Sequence, residues 1–155
     1  MHLAKRNILF ICTANQCRSP LAAALFQRLL GDDIAAWSVA SAGTWARPGR
    51  PAHPLTQAAT GQIYGLDLSA HRSQSIDDLS LPDFHLVLAM AQGHKEAIQI
   101  EFPAVADRVY LLSEMVGLTF DIGDPVQGDL EVHLATLRQI DSLLEKGMSK
   151  IYQLV

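Results

Sequence analysis

The sequence predicts an α/β protein in which a parallel sheet is covered by helices on both faces. Short apolar runs typical of strands alternate along the chain with longer segments whose apolar residues recur every three or four positions, as in amphipathic helices. The first run, residues 8–11, is apolar at every position, which is typical of a strand buried on both sides of a parallel sheet. This alternation predicts right-handed crossovers between parallel strands.

A helix is predicted after the first strand, over residues 21–30, because leucine, alanine and phenylalanine recur there with helical spacing. Gly31 is expected to end it. A second strand is predicted over residues 37–40, and a loop rich in proline and glycine follows it.

The next helix is expected to start near Pro54 and to end near Gly65. Leu55, Ala59 and Ile63 would share one face of it, since they are spaced by four residues.

The second half of the chain supplies two more strands and two more helices. Strands are predicted over residues 86–90 and 109–112, with a helix over residues 93–102 between them. The last helix has the clearest apolar stripe, formed by Leu130, Leu134, Leu137, Ile140 and Leu144. We expect Gly147 to end this helix.

The composition is that of a compact globular protein. The chain has 155 residues, of which 49% are hydrophobic and 18% are charged, and no repeat or linker divides it. We therefore expect one domain over residues 1–155. The formal net charge of −4 gives no electrostatic basis for binding nucleic acid or acidic membranes.

Cysteine usage points to a reducing compartment, because Cys12 and Cys17 are the only two cysteines and form no disulfide framework. The first apolar run is too short for a signal peptide or a membrane span. We expect a cytoplasmic protein.

The stretch from Cys12 to Pro20 carries the candidate chemistry. Cys12 ends the first strand, Arg18 comes six positions later, and Pro20 suits the first turn of a helix. The amides between Cys12 and Arg18 are expected to curl into an anion-binding nest at a helix N-terminus. Such a field favours the Cys12 thiolate, and the Arg18 fork can hold two oxygens of a phosphoryl group. The alternative is a small core cysteine beside a surface arginine.

The run CTANQCRSP, placed directly after a strand near the N-terminus, resembles the signature of the low-molecular-weight protein-tyrosine-phosphatase family. The resemblance covers nearly the whole chain and implies a four-stranded parallel sheet in the order 2-1-3-4. It also implies a phosphomonoesterase without cofactors, in which Cys12 attacks phosphorus and water then hydrolyses the phosphocysteine. The phosphate-binding residues that it implies, besides Arg18, are Thr13, Ala14, Asn15, Gln16, Cys17 and Ser19.

Asp124 is the candidate general acid for the leaving oxygen. It precedes Pro125 in a glycine-containing loop before the last helix, which matches the family's acid motif. The alternative is that Asp124 only starts a turn, as Asp-Pro pairs often do. Asp129, close by, is more simply a helix N-cap.

The resemblance also implies a hydrogen-bonded set, Asn15, Ser41 and His71, that supports the loop. Asn15 is one of the few residue types other than glycine that accept a left-handed backbone. Ser19 is a candidate donor to the Cys12 sulfur, although at that position it could also cap the helix.

Three positions depart from the family pattern. Ala14 stands where glycine is usual, and we expect an ordinary backbone conformation there. Gln16 stands where an aliphatic residue or threonine is frequent, and Val126 where an aromatic is usual. Trp45 would supply the opposite wall of the pocket, unless it packs onto the body of the protein.

The substrate predicted by the resemblance is a phosphorylated protein, with phosphotyrosine favoured over phosphoarginine. Arsenate reduction with an external thiol and noncatalytic binding of phosphorylated residues are the alternatives. The histidines show no metal-ligand spacing with cysteine or carboxylate, so we expect no metal. Cys12 and Cys17 lie at the two ends of one curled loop, so a regulatory disulfide between them is an alternative to two free thiols. The sequence indicates no particular oligomeric state.

Overall fold

The computed structural model describes residues 4–155 and contains four strands and four α-helices in alternation. The strands are β1 (Arg6–Cys12), β2 (Trp37–Gly43), β3 (Leu86–Ala89) and β4 (Val109–Leu111). The helices are α1 (Arg18–Leu30), α2 (Pro54–Tyr64), α3 (Gln92–Glu101) and α4 (Leu130–Leu154). All strand pairs are parallel and the order is β2-β1-β3-β4, which confirms the predicted sheet.

The unbroken apolar run of β1 follows from its position in the sheet, because successive side chains of a strand point to opposite faces. Ile8 and Phe10 are fully buried in the core that the sheet forms with α1 and α4. Leu9 and Ile11 are fully buried in a second core on the other face, where Ile98 of α3 packs. Helices therefore cover both faces, as predicted.

The prediction that Gly147 ends the last helix is wrong. Helix α4 continues to Leu154, and Ile151 beyond the glycine is fully buried. A Cβ atom on Gly147 would lie 2.7 Å from the Cβ of Met115, so the glycine allows the segment before it to approach the helix closely. The expected N-cap is confirmed, since the Asp129 side chain accepts a hydrogen bond from the amide of Val132.

The predicted apolar face of α2 is also wrong. Ala59 is buried, but Ile63 is exposed, and the other buried positions of this helix are Thr56 and Thr60. The Thr56 hydroxyl pairs with Nδ1 of His133 on α4, and the Thr60 hydroxyl donates to carbonyls of its own helix. Because their polar atoms are satisfied, these threonines can be buried, which an apolar pattern does not reveal.

The carboxyl edge of the sheet brings distant segments together. Cys12 at the end of β1 pairs with Gly43 at the end of β2. Met90, directly after β3, accepts a hydrogen bond from the amide of Ile122, which fixes the segment before α4 at the same edge. Ligands of open parallel sheets bind at this edge. In residues 4–155 no helix is long and apolar enough to cross a membrane.

Candidate active site

The loop of residues 12–18, called here the 12–18 loop, joins β1 to α1. Its backbone carbonyls point outward and accept hydrogen bonds from the amides of Thr44, Trp45 and His53. Within residues 4–155, the amides of residues 14–17 donate to no protein acceptor. Unpaired amides in a tight loop before a helix are the arrangement that binds an oxyanion.

Cys12 lines the site, and its sulfur lies next to the hydroxyl of Ser19. Both are buried, and the Cys12 Sγ lies 2.9 Å from the Ser19 Oγ. The Ser19 Oγ accepts a hydrogen bond from Asn15, and its own proton faces two acceptors, the sulfur and, at 3.4 Å, the Ala42 carbonyl. The Ser19 hydroxyl is therefore placed to donate a hydrogen bond to the Cys12 sulfur.

Arg18 is only 5% exposed, and its guanidinium is held from two sides. Its Nη1 donates to the Ile122 carbonyl at 2.8 Å, and its Nη2 lies 3.5 Å from both the Asp124 Oδ2 and the Thr13 Oγ1. Asp124 itself is partly exposed, and its Oδ1 accepts from the Val126 amide. The predicted acid therefore lies beside the predicted phosphate-binding arginine, although the two residues are far apart in the sequence.

These groups line one small pocket of about 50 Å³. Its lining residues are Cys12, Ala14, Gln16, Cys17, Arg18, His53, Asp124 and Val126. A nucleophilic sulfur, a cation and a carboxylate thus meet in one pocket, which is suited to displacement at a phosphoryl group.

The predicted supporting set is present in the structure. Asn15 is fully buried with φ 59°, and its Nδ2 donates to the hydroxyls of Ser19 and Ser41. Nε2 of His71 lies 2.7 Å from the Asn15 carbonyl. Burial lowers the pKa of His71, although the hydrogen bond to that carbonyl opposes the shift. Ala14 has no positive φ, as expected.

Three residues of this support were missed. The Asn15 Oδ1 accepts from the Gln74 amide, and the Gln74 side chain donates to the Ser41 carbonyl. A Cβ on Gly43 would lie 2.3 Å from the Thr13 carbonyl oxygen, so only glycine fits beside the loop. His94 Nε2 lies 2.8 Å from the Thr13 hydroxyl, and burial together with the charge of Arg18 lowers the pKa of His94 to about 4. None of the three carries a motif of its own.

The rim of the pocket is exposed. Trp45 is 86% exposed, so the alternative that it packs onto the body of the protein is wrong. It lines a neighbouring groove of about 390 Å³ with Arg47 and Arg50, and this groove shares Ala14 and Gln16 with the pocket. Trp45 therefore borders a groove beside the pocket and not the pocket itself.

A histidine pair beside the pocket was also missed. The rings of His53 and His133 are stacked with centroids 4.7 Å apart, and a ligand atom of each lies within 4.8 Å of the Cys17 sulfur and of the other. Burial raises the pKa of Cys17 to about 11, and both cysteines are free thiols. Sequence spacing did not reveal this cluster because its members come from the 12–18 loop, the start of α2 and the first turn of α4.

Comparison with known proteins gives one consistent family. The model of the family "Low molecular weight phosphotyrosine protein phosphatase" matches residues 7–154. A protein-arginine-phosphatase of Geobacillus stearothermophilus is 34% identical, covering 93% of this chain and 95% of the relative. A probable low molecular weight protein-tyrosine-phosphatase of Ralstonia nicotianae, EpsP, is also 34% identical, covering 94% of this chain and 96% of the relative.

Solved structures agree. The crystal structure of the low molecular weight protein tyrosine phosphatase from T. tengcongensis superposes with a TM-score of 0.88 at 36% identity, covering 94% of this chain and 99% of that one. The similarity in sequence and fold therefore spans nearly all of both chains.

Proposed function

The chain belongs to the low molecular weight phosphotyrosine protein phosphatase family, a family of phosphoric monoester hydrolases, and from this premise we propose how its residues act. We propose a protein phosphatase that removes phosphate from phosphotyrosine through a phosphocysteine intermediate. The observation that carries this proposal is the meeting of Cys12, Arg18 and Asp124 in one pocket of about 50 Å³. We propose that residues 1–155 form one catalytic domain.

In the first step, the Cys12 sulfur attacks phosphorus and the bond to the leaving oxygen breaks. Arg18 and the free amides of residues 14–17 hold the equatorial oxygens, whose negative charge they stabilise. The Ser19 hydroxyl, 2.9 Å from the sulfur, stabilises the thiolate both before attack and when it leaves. The hydrogen bond from Arg18 to the Ile122 carbonyl fixes the guanidinium group in its orientation toward the pocket.

Asp124 supplies the proton that the leaving phenolate takes up. Its carboxyl group is partly exposed at the rim, where a leaving oxygen would emerge from the pocket. After the alcohol departs, the Asp124 carboxylate takes a proton from water, which attacks the phosphocysteine and releases phosphate. The salt bridge to Arg18 holds the carboxylate near this position in the absence of substrate.

Phosphotyrosine is supported by the exposed Trp45, which offers a flat apolar surface next to the pocket. Arg47 and Arg50 line the same groove, are exposed, and pair with no carboxylate in the described chain. Acidic residues beside the phosphotyrosine would therefore be favoured.

Phosphoarginine is the second candidate, and a specific observation favours it. Val126 lines the pocket as an aliphatic side chain where an aromatic would flank a tyrosine ring. The Gln16 Nε2 donates to the Pro51 carbonyl, which leaves the amide oxygen of Gln16 as an acceptor for a guanidinium. The relative from Geobacillus stearothermophilus is named as a protein-arginine-phosphatase.

We place the protein in the cytoplasm. Its two cysteines are free thiols, and a phosphatase that depends on the Cys12 thiolate needs a reducing compartment.

Substrate choice is tested with two peptides of one sequence, one carrying phosphotyrosine and the other phosphoarginine. We expect the higher kcat/KM on the phosphotyrosine peptide, and a higher value on the phosphoarginine peptide would replace the proposal by the second candidate.

The role of Asp124 is tested with Asp124→Asn on phosphotyrosine and on an activated aryl phosphate. General acid catalysis is worth about 10²–10⁴-fold and matters more for a poor leaving group. The variant should lose more rate on phosphotyrosine, and equal losses on both substrates would remove Asp124 as the acid.

A further inference from the structure

Cys17, His53 and His133 form a cluster, called here the Cys-His-His cluster, that the proposed reaction does not use. One ligand atom of each residue lies within 4.8 Å of the other two. Cys17 and His53 line the catalytic pocket, whereas His133 lies behind them on α4. The cluster therefore forms part of the pocket wall without contributing a nucleophile, acid or oxyanion donor.

His133 is the member whose state indicates a ligand. It is 1% exposed, and its Nε2 has no hydrogen-bond partner. Its Nδ1 lies 2.9 Å from the Thr56 hydroxyl, which can accept the Nδ1 proton. In that tautomer the buried Nε2 carries the lone pair of the ring, whereas in the other tautomer the ring can donate to the nearby Pro125 carbonyl. A histidine fixed through one nitrogen by a neighbouring oxygen is typical of metal ligands.

The donor set selects the kind of ion. One thiolate and two imidazoles suit zinc and similar late transition metals, while magnesium and calcium prefer oxygen ligands. Ligand bonds of about 2.0–2.3 Å in a tetrahedral site bring ligand atoms to about 3.3–3.8 Å from each other. The cluster must therefore contract by about 1 Å.

His53 supplies this movement. Its ring is stacked on His133 with 28° between the planes, so one ion cannot lie in both planes until His53 turns. His53 is partly exposed at the N-cap of α2, and a single hydrogen bond from the Leu55 amide to its Nδ1 holds the ring. Turning the ring breaks one helix cap and the stacking contact with the buried His133 ring.

We propose that Zn²⁺ binds reversibly to Cys17, His53 and His133 and inhibits the enzyme from the wall of its pocket. Three protein ligands leave a fourth position open, and two of the three, Cys17 and His53, line the catalytic pocket. On binding, the Cys17 thiol releases its proton to solvent, and neither zinc nor sulfur changes oxidation state. Inhibition rests on the proposed function, whereas binding does not.

The test measures zinc affinity by competition with a chromophoric chelator, using reduced full-length protein. His133→Asn is the key variant, because the asparagine side chain can still pair with Thr56 but lacks the atom at the Nε2 position. His85→Asn is the matched control, since His85 precedes β3 at the opposite edge of the sheet. We expect one zinc per chain for the wild type and for His85→Asn, and an affinity at least about 10-fold weaker for His133→Asn.

Inhibition by zinc should follow the same order. His133→Asn should turn over an aryl phosphate as the wild type does, while needing at least about 10-fold more zinc for half inhibition. If the protein turns over no phosphate ester, the proposed function fails but the binding experiment still decides the site.

Cys12→Ser separates this site from binding at the nucleophile. The proposal predicts unchanged zinc affinity in Cys12→Ser, and with Co²⁺ as probe a thiolate-to-metal absorption band that is present in Cys12→Ser and absent in Cys17→Ser. Loss of zinc binding in Cys12→Ser with retention in His133→Asn would overturn the proposal and place the metal on the catalytic sulfur. If the His133→Asn variant does not fold, the cobalt spectra of Cys12→Ser and Cys17→Ser test the proposal in its place.

Discussion

The two sides of the 12–18 loop differ in how firmly their side chains are held. On the side that faces the sheet, Asn15 is fully buried and bonded to Ser19, Ser41 and Gln74. On the rim, Trp45 is 86% exposed, and Gln16 makes a single bond of 3.2 Å to the Pro51 carbonyl.

This difference separates two tasks. The buried side fixes the oxyanion site, and an error there should affect every phosphate ester alike. The rim touches only the part of the substrate beyond the phosphate, so changes there should affect some substrates and not others.

Loss of the nucleophile should have the largest effect. Cys12→Ser should lower kcat on an aryl phosphate by more than about 10³-fold, because a hydroxyl is a far weaker nucleophile than a thiolate. Arg18 and the loop amides are unchanged, so inorganic phosphate should still raise the melting temperature of the variant. Retained turnover in Cys12→Ser would exclude the phosphocysteine mechanism.

Breaking the supporting set should destabilise the protein itself. Asn15→Ala removes three side-chain hydrogen bonds and places alanine at φ 59°, so we expect a loss of about 2–4 kcal/mol in the free energy of unfolding. Asn15→Gly loses the same bonds without the backbone strain and should be about 1 kcal/mol more stable than Asn15→Ala. Urea denaturation measures both. Equal midpoints for wild type and Asn15→Ala would show that the loop needs no such support.

The conformation and hydrogen-bond partners of Asn15 also show how much the sequence could predict. The left-handed backbone and the partners Ser41 and His71 were expected, since a curled loop restricts residue type and the family resemblance supplied the partners. Gln74 was not expected, because its backbone amide makes the contact and a backbone contact leaves no mark on residue type.

The fold also has features that the sequence predicted and features that it did not. Strand order and helix positions follow from apolar runs and the resemblance, whereas the end of α4 does not. Glycine often ends a helix. Gly147, however, lies against Met115, and only the packed structure reveals that neighbour. The Cys-His-His cluster was missed for the same reason, since its three residues approach each other only after folding.

Substitutions at the rim should change substrate selectivity by a moderate factor. Trp45→Ala should lower kcat/KM on a phosphotyrosine peptide by about 10-fold, which corresponds to about 1.4 kcal/mol of lost contact. On a small aryl phosphate, which does not reach the groove, the change should be negligible. Ile100→Ala is the matched control, because Ile100 is 80% exposed on α3. Equal losses of Trp45→Ala on both substrates would show that Trp45 supports the loop instead.

The smallest effect concerns pH. His94 has a pKa of about 4 in the folded protein, against 6.5 for an exposed histidine, so the unfolded chain binds a proton first as the pH falls. His94 therefore contributes stability that is complete above about pH 6.5 and is lost as the pH falls toward 4.

The matched variant is His94→Gln, whose amide nitrogen can replace Nε2 at the Thr13 hydroxyl. We expect its melting temperature to fall less than that of the wild type between pH 6.5 and pH 4. Parallel curves for the two proteins would mean that His94 does not titrate in this range.

In the proposed mechanism, Cys12 carries the phosphoryl group between the two halves of the reaction. Rapid acid quenching of the enzyme during turnover of an aryl phosphate, followed by peptide mass spectrometry, tests it directly. We predict one phosphoryl group on Cys12, and none at any position in Cys12→Ala. A phosphoryl group on another residue, or steady turnover by Cys12→Ala, would contradict the claim.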